Sequence, residues 1–252
     1  MQFILEVCVD SLASARAAVA GGADRLELCS ALSVGGLTPY AALLAQIRAE
    51  SSIPVRCLMR PRPGDFLYTP EEIELLCTQI PVLRQAGANG FVIGALSPDG
   101  SLDAHATRQL IDAAGPGAGI TLHRAIDVSR NPLETYRTAA ALGMDTVLTS
   151  GAAANCRNGR TVLASLLAER DRLNGPEVLI GAGVNAEVIR ELRQTLPRAC
   201  AFHMSGKTER ESGMQFRREG IPMGLPGLDE WHIQQTSASA VRAARRALDE
   251  SN

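Results

Sequence analysis

A histidine, an arginine and an aspartate follow a short apolar run in residues 120–132, ITLHRAIDVSRNP. His123, Arg124 and Asp127 stand within five residues of one another. A strand that only fills a core has no use for such side chains, because a buried charge is costly unless it is paired. An imidazole beside a guanidinium can bind an anion or move a proton, so this segment predicts a polar site at the end of a strand.

Other predicted strands also carry polar side chains at every second or fourth position, so each set lies on one face of its strand. We expect that face to point into a barrel. The members nearest the carboxyl ends of the strands supply the candidate catalytic residues Glu27, Arg60, His123 and His203. The alternative is a buried salt-bridge network that only fixes the barrel, an interpretation favoured for the deeper Glu6 and Arg56. By the same alternation, Arg124 faces the helix layer or neighbouring loops.

The loop after the third predicted strand reads RPRPGDF and adds Arg62 and Asp65 to the same end of the molecule. Arginines there suit a carboxylate or a phosphate, because a guanidinium can pair with two oxygens at once. Alternatively, Arg62 ties loops together and Asp65 caps a turn.

Glycine-rich segments follow the seventh and eighth predicted strands. The first is GAGV, with Gly183, and the second is MSGK, with Ser205 and Gly206. Such segments next to a helix N-terminus form a frequent phosphate site in barrels of alternating strand and helix. Glycine also serves ordinary tight turns, so the pattern permits both interpretations.

Two cysteines, Cys8 and Cys29, end neighbouring predicted strands on the same face. Adjacent thiolates are suitable ligands for a soft ion such as Cu(I). His203 or His123 would have to supply a third ligand. The alternative is that both thiols pack as small hydrophobes, and the sequence has no C-x-x-C pair of the zinc-ribbon type.

Eight short strand patterns alternate with helical patterns and would position these side chains. They are FILEVC, RLELCS, VRCLMR, GFVIGA, ITLHRA, DTVLTS, EVLIGA and AFHMSG. The count predicts an α/β fold of the (β/α)8 TIM-barrel type, as a single domain over residues 1–252. An open doubly wound sheet is the alternative, although no G-x-G-x-x-G follows the first strand. Residues 207–235 predict a long irregular loop before a C-terminal helix, and Pro81 predicts a kink or break in its helix.

Composition excludes several classes of function. The formal net charge is −2 and aromatic residues are 4%, which argues against nucleic-acid binding. No apolar run approaches the roughly 20 residues of a membrane span, and the first residues lack the pattern of a signal peptide. We therefore expect a cytoplasmic protein with reduced cysteines and no membrane partner.

The chain resembles the CutC family, named for copper homeostasis, in motifs that run from residue 5 to residue 217. The matching segments are LEVCVDS, GGADRLELCS, GGLTP, RPRPGDFLY, GFVIGAL, TLHRAID, VLTSG, GAGV and SGMQFR. The resemblance implies a TIM barrel, a cytoplasmic location, a homo-oligomer (dimer or tetramer) and a Cu(I) role for Cys8 and Cys29. Pro63 stands where the family usually has glycine, and the segment from Gly224 onward matches the family poorly.

Two functions remain in view at this point. In the first, the protein binds Cu(I) through Cys8 and Cys29 and serves copper homeostasis. In the alternative, it is an enzyme acting on a small anionic or phosphorylated metabolite. His123 would then be the acid or base, oriented by Glu27, while Arg60 and Arg62 hold the anion. A scaffold without any ligand is a third possibility.

Overall fold

The computed structural model describes residues 3–218, 220–221, 223–224 and 229–250. Eight parallel strands close into a barrel in chain order, with the first strand paired to the eighth. The barrel strands are β1 (Ile4–Val9), β2 (Arg25–Leu28), β3 (Val55–Leu58), β4 (Gly90–Ile93), β5 (Gly119–Leu122), β6 (Thr146–Thr149), β7 (Glu177–Ile180) and β8 (Ala201–Met204). The predicted TIM barrel is confirmed.

Helices surround the barrel and cover its outer face. They are α1 (Leu12–Gly21), α2 (Ala41–Glu50), α3 (Pro70–Gln85), α4 (Ala104–Ala114), α5 (Pro132–Ala141), α6 (Arg160–Leu173), α7 (Ala186–Thr195) and α8 (Ala238–Asp249). Capping side chains define where several begin: Thr69 forms a capping box with Glu72, and Asn185 accepts from the Val188 N–H. Helix α3 continues through Pro81, so the predicted break is absent. No helix within the described ranges is both long and apolar enough to span a membrane.

Apolar and polar side chains alternate along the barrel strands. Leu5, Val7 and Val9 of β1 belong to the large apolar core, whereas Glu6 and Cys8 take the other face. Because the helices cover the outer face, Glu6 and Cys8 point towards the barrel axis. The register sets Cys8 beside Glu27 of β2 and Glu6 beside His203 of β8.

An arm follows β8 in the region predicted to be an irregular loop. It contains two antiparallel strands, β9 (Lys207–Glu211) and β10 (His232–Thr236). Gly206 connects β8 to β9, and its carbonyl accepts from the N–H of Ser237 at the start of α8. Residues 219, 222 and 225–228 of the predicted loop lie outside the described part, as do residues 1–2 and 251–252 of the predicted domain.

Candidate functional site

A cavity of about 280 Å³ opens at the carboxyl ends of the barrel strands. Most of the candidate residues line it: Cys8, Glu27, Arg60, His123, Gly183, His203 and Ser205. The cavity lies where (β/α)8 enzymes place their chemistry. Its volume is close to the lower end for small-molecule sites, about 300 Å³, so it suits a small ligand.

The floor of the cavity is a cluster of three potential ligands from neighbouring strands. The three residues are Cys8, Glu27 and His203, and all of them are buried. Each offers one ligand atom, and these atoms lie within 4.8 Å of one another. His203 Nδ1 is 2.8 Å from Glu6 Oε1, while its Nε2 is 3.6 Å from Glu27 Oε2. A carboxylate that holds one ring nitrogen of a histidine fixes the direction of the other, as happens around protein-bound metals.

The charged groups around His203 are paired with one another. Burial alone would raise the pKa of Glu6, but the Arg25 guanidinium and His203 hold it at about 2. Burial would lower the pKa of His203, yet the neighbouring Cys8 and Glu27 raise it well above its usual value. Glu6 is therefore ionised between two cations. Of the alternatives from the sequence, a salt-bridge network fits Glu6.

Glu27 differs from Glu6 in having no arginine within hydrogen-bonding distance in the described chain. Burial raises its pKa to about 7, against the opposing effect of His203. The Cys29 thiol donates weakly to Glu27 Oε2 at 3.6 Å. Cys29 is fully buried and does not line the cavity. Its burial, and after that the charge of Glu27, raises the pKa of its thiol well above the usual value. The structure thus groups Cys8 with Glu27 and His203, and places Cys29 behind Glu27.

Arg60 forms one side of the cavity and is only 8% exposed. Its terminal nitrogens donate to the carbonyls of Val34 and Gly36 at 3.1 Å and of Gly64 at 2.8 Å. Its Nε finds no partner, and no carboxylate of the described residues forms an ion pair with it. The carbonyls satisfy most of its hydrogen-bond donors but do not neutralise its charge.

His123 occupies the end of β5 and is 4% exposed. Its Nδ1 accepts from the Ala125 N–H at 3.2 Å, which places the ring proton on Nε2. Burial and then the charge of Arg60 lower the pKa of His123 to about 3. Nε2 has no partner among the described residues, and Phe66 packs on the ring at 4.7 Å. The backbone of Ala125, rather than Glu27, orients this imidazole.

Arg62 and Asp65 lie outside the cavity lining. Arg62 Nε contacts Glu72 Oε1 at 2.6 Å, and its Nη1 contacts Asp65 Oδ1 at 3.0 Å. These contacts match the alternative in which Arg62 ties loops together. Gly206 is also absent from the lining, because it serves the junction between the arm and α8.

Arg124 contacts the loop after β6, in line with the expectation that it faces the helix layer or neighbouring loops, and it also lines the cavity. Alternation ends at His123 because residues Arg124–Val128 form a 3-10 turn, so strand parity no longer applies. Arg124 is held by Asp127 at 2.7 Å and by Ser150 at 3.1 Å. Asp127 also accepts from the N–H groups of Ser150 and Ala152, which fixes the loop after β6.

Comparison with known proteins assigns the chain to a family. The sequence model of the CutC family matches residues 3–208. A CutC family protein from Chromobacterium violaceum is 42% identical over 250 residues, which cover 99% of both chains. A second, from Vibrio campbellii, is 39% identical over 247 residues, which cover 97% of this chain and 98% of the relative. The chain belongs to the CutC family. Similarity to these relatives extends through nearly the whole chain, so this CutC family member shares with them the segment after residue 208 as well.

Solved structures agree on the fold of this CutC family member. A Streptococcus agalactiae CutC structure, named for copper homeostasis, superposes with a TM-score of 0.75 at 24% identity, over 81% of this chain and 99% of that one. Phosphoribosylanthranilate isomerase from Thermotoga maritima superposes with a TM-score of 0.57 at 14% identity, over 98% and 99% of the chains. At these identities the likeness supports the barrel fold alone.

Proposed function

We propose that this protein binds Cu(I) at the floor of the barrel cavity and acts in copper homeostasis. The observation that carries the proposal is the position of the His203 ring. Glu6 holds its Nδ1 at 2.8 Å, which leaves the ring edge with Nε2 among the ligand atoms of Cys8 and Glu27. The family name and that of the Streptococcus agalactiae relative supply the link to copper.

The donor set fits a soft monovalent ion. Thiolate and neutral imidazole are ligands that Cu(I) accepts readily. Cys8 and His203 offer one of each once the ion has displaced the proton that the raised pKa keeps on His203. Glu27 is a harder ligand that is partly protonated near neutral pH. Cys8 and His203 are therefore the main ligands in this proposal, with Glu27 beside them and Cys29 as a thiol hydrogen-bonded to Glu27.

An anaerobic competition titration against a chromophoric Cu(I) chelator tests the proposal. Wild type should bind one equivalent tightly, and Cys8→Ser and His203→Gln should each weaken binding at least about tenfold, since even an outer-shell partner contributes that much. Cys77→Ala is the matched control, because Cys77 lies half-buried on α3 and outside the cavity. A wild type that binds Zn²⁺ but not Cu(I), or equal losses in the control, would refute a copper site.

A cytoplasmic location and self-association complete the proposal. All six cysteines are free, as expected of a protein in a reducing compartment. The arm exposes large apolar side chains, among them Phe216 at 69% and Met223 at 81%. Several exposed apolar side chains within one short segment are a feature that protein–protein contacts use, which supports a homo-oligomer.

A further inference from the structure

We propose that the cavity above the metal cluster binds a small phosphorylated molecule, contacted by His123 and Arg124, balanced in charge by Arg60, and held at its phosphate by the backbone after β7. This inference does not depend on copper. Nothing in the family's name assigns an organic ligand to this space.

The uncompensated charge of Arg60 is the first argument. A buried cation needs a counter-ion, because burial removes the water that stabilises its charge. Arg25 is paired with Glu6, His203 lies between Glu6 and Glu27, and Arg124 is paired with Asp127. Arg60 lines the same space without a carboxylate partner in the described residues. An anion in the cavity would supply the missing charge.

The unpartnered Nε2–H of His123 is the second argument. A buried donor without an acceptor destabilises the folded state, so such atoms are rare in proteins unless a ligand or water meets them. A Cβ at Gly94 would lie 2.7 Å from Cε1 and 2.9 Å from Nδ1 of this ring. Gly94 therefore lies beside the Nδ1–Cε1 side of the imidazole, where a larger residue would displace the ring from the cavity that it lines.

The backbone after β7 provides a place for phosphate. Ala182 and Gly183 are both left-handed, with φ of 70° and 81°, and they precede the N-terminus of α7. The N–H groups of Gly183 and Val184 meet no acceptor in the described chain, and both residues line the cavity. Consecutive free N–H groups at a helix N-terminus favour a phosphate, which the side chains opposite would help to balance.

Inorganic phosphate is the probe, titrated into metal-free full-length protein by calorimetry and followed by ³¹P NMR, with acetate as the competing anion. Phosphate should bind at least tenfold more tightly than acetate. His123→Phe, which keeps the ring stacked on Phe66 but removes the donor, and Arg124→Met should each lose about tenfold in phosphate affinity. Arg62→Met, which alters an arginine outside the cavity, should bind as wild type does.

Cu(I) affinity separates this inference from the proposed copper function. His123→Phe should bind Cu(I) as tightly as wild type, since His123 is not in the metal cluster. The inference is wrong if phosphate does not bind, or if acetate binds as tightly as phosphate. It is also wrong if both His123→Phe and Arg124→Met keep the wild-type affinity for phosphate.

Discussion

At the scale of single residues, the site contains two histidines with opposite electrostatics. His203 is held among Glu6, Glu27 and Cys8, which raise its pKa. His123 has an arginine nearby and no carboxylate partner in the described chain, and its pKa falls to about 3. One imidazole is thus fixed among acidic groups, where we propose that it binds a metal, while the other is a neutral hydrogen-bond donor.

The protonation of His123 is directly measurable. Its folded pKa lies below the ordinary value of 6.5, so folding favours the neutral ring. As the pH falls from about 6.5 towards 3, the unfolded state gains a proton that the folded state lacks, and the free energy of unfolding decreases. Nitrogen-15 NMR should show His123 neutral, with its proton on Nε2, from pH 5 to 8. Exposed His232, whose pKa is raised by a hydrogen bond to Asp229, should titrate in the same spectra. Titration of His123 near 6.5 would contradict this assignment.

Glu6 is a second residue whose removal has a defined cost. The Glu6→Gln variant leaves Arg25 and His203 buried without their shared anion, so the free energy of unfolding should fall by roughly 3–5 kcal/mol. Urea denaturation measures the change. Glu50→Gln, which breaks an exposed pair with Arg16, should leave stability nearly unchanged. Equal effects of the two substitutions would argue against the buried network.

At the scale of elements, the barrel makes room for its interior charges with glycine. Gly90 of β4 and Gly119 of β5 lie beside each other, and a Cβ on Gly119 would come within 2.6 Å of the Arg56 guanidinium. Arg56 reaches Asp145 at 2.7 Å through this space. The two glycines therefore allow a large cation inside a narrow barrel.

The Gly90→Ala variant tests this packing. Its Cβ would lie 2.3 Å from the Gly119 carbonyl oxygen, so neighbouring strands must move apart. We expect a loss of about 1–3 kcal/mol in the free energy of unfolding, measured by urea denaturation. A Cβ at Gly213 of the arm meets no described atom within 4 Å, so Gly213→Ala should be neutral. If Gly90→Ala is as stable as wild type, β4 and β5 can move apart without loss of stability, and the packing argument is wrong.

The sequence predicts the orientation of a side chain well where strand periodicity determines it, and poorly where the conformation of a loop determines it. Strand alternation was enough to identify Glu27, His123 and His203 as inward side chains. For Arg124 it predicted a contact with a neighbouring loop but not a place in the cavity lining, because a 3-10 turn begins there. It could not separate Arg60 from Arg62, since their surroundings depend on loop carbonyls and Glu72. It left open whether His203 or His123 lies beside Cys8, because that choice depends on the contact that closes the barrel between the first and last strands.

At the scale of the whole molecule, the arm after β8 lies outside the barrel and its side chains are largely exposed. Its described residues expose Met214, Phe216 and Ile221 by more than half. If this surface joins subunits, wild type should sediment as a dimer or tetramer, and Phe216→Asp should shift it towards monomer. Val128→Asp is the control, as Val128 is 65% exposed but lies outside the arm. A monomeric wild type, or an unaltered Phe216→Asp oligomer, would contradict self-association through the arm.

The most direct test of the copper site is X-ray absorption spectroscopy of the protein loaded with one equivalent of Cu(I). The cluster of Cys8, Glu27 and His203 predicts one sulfur ligand together with nitrogen or oxygen, including the scattering pattern of an imidazole. His203→Gln should lose the imidazole signal, and Cys8→Ser should lose the sulfur. Two sulfur ligands without imidazole would instead identify Cys8 and Cys29 as the pair that holds copper, and would contradict the His203-centred site.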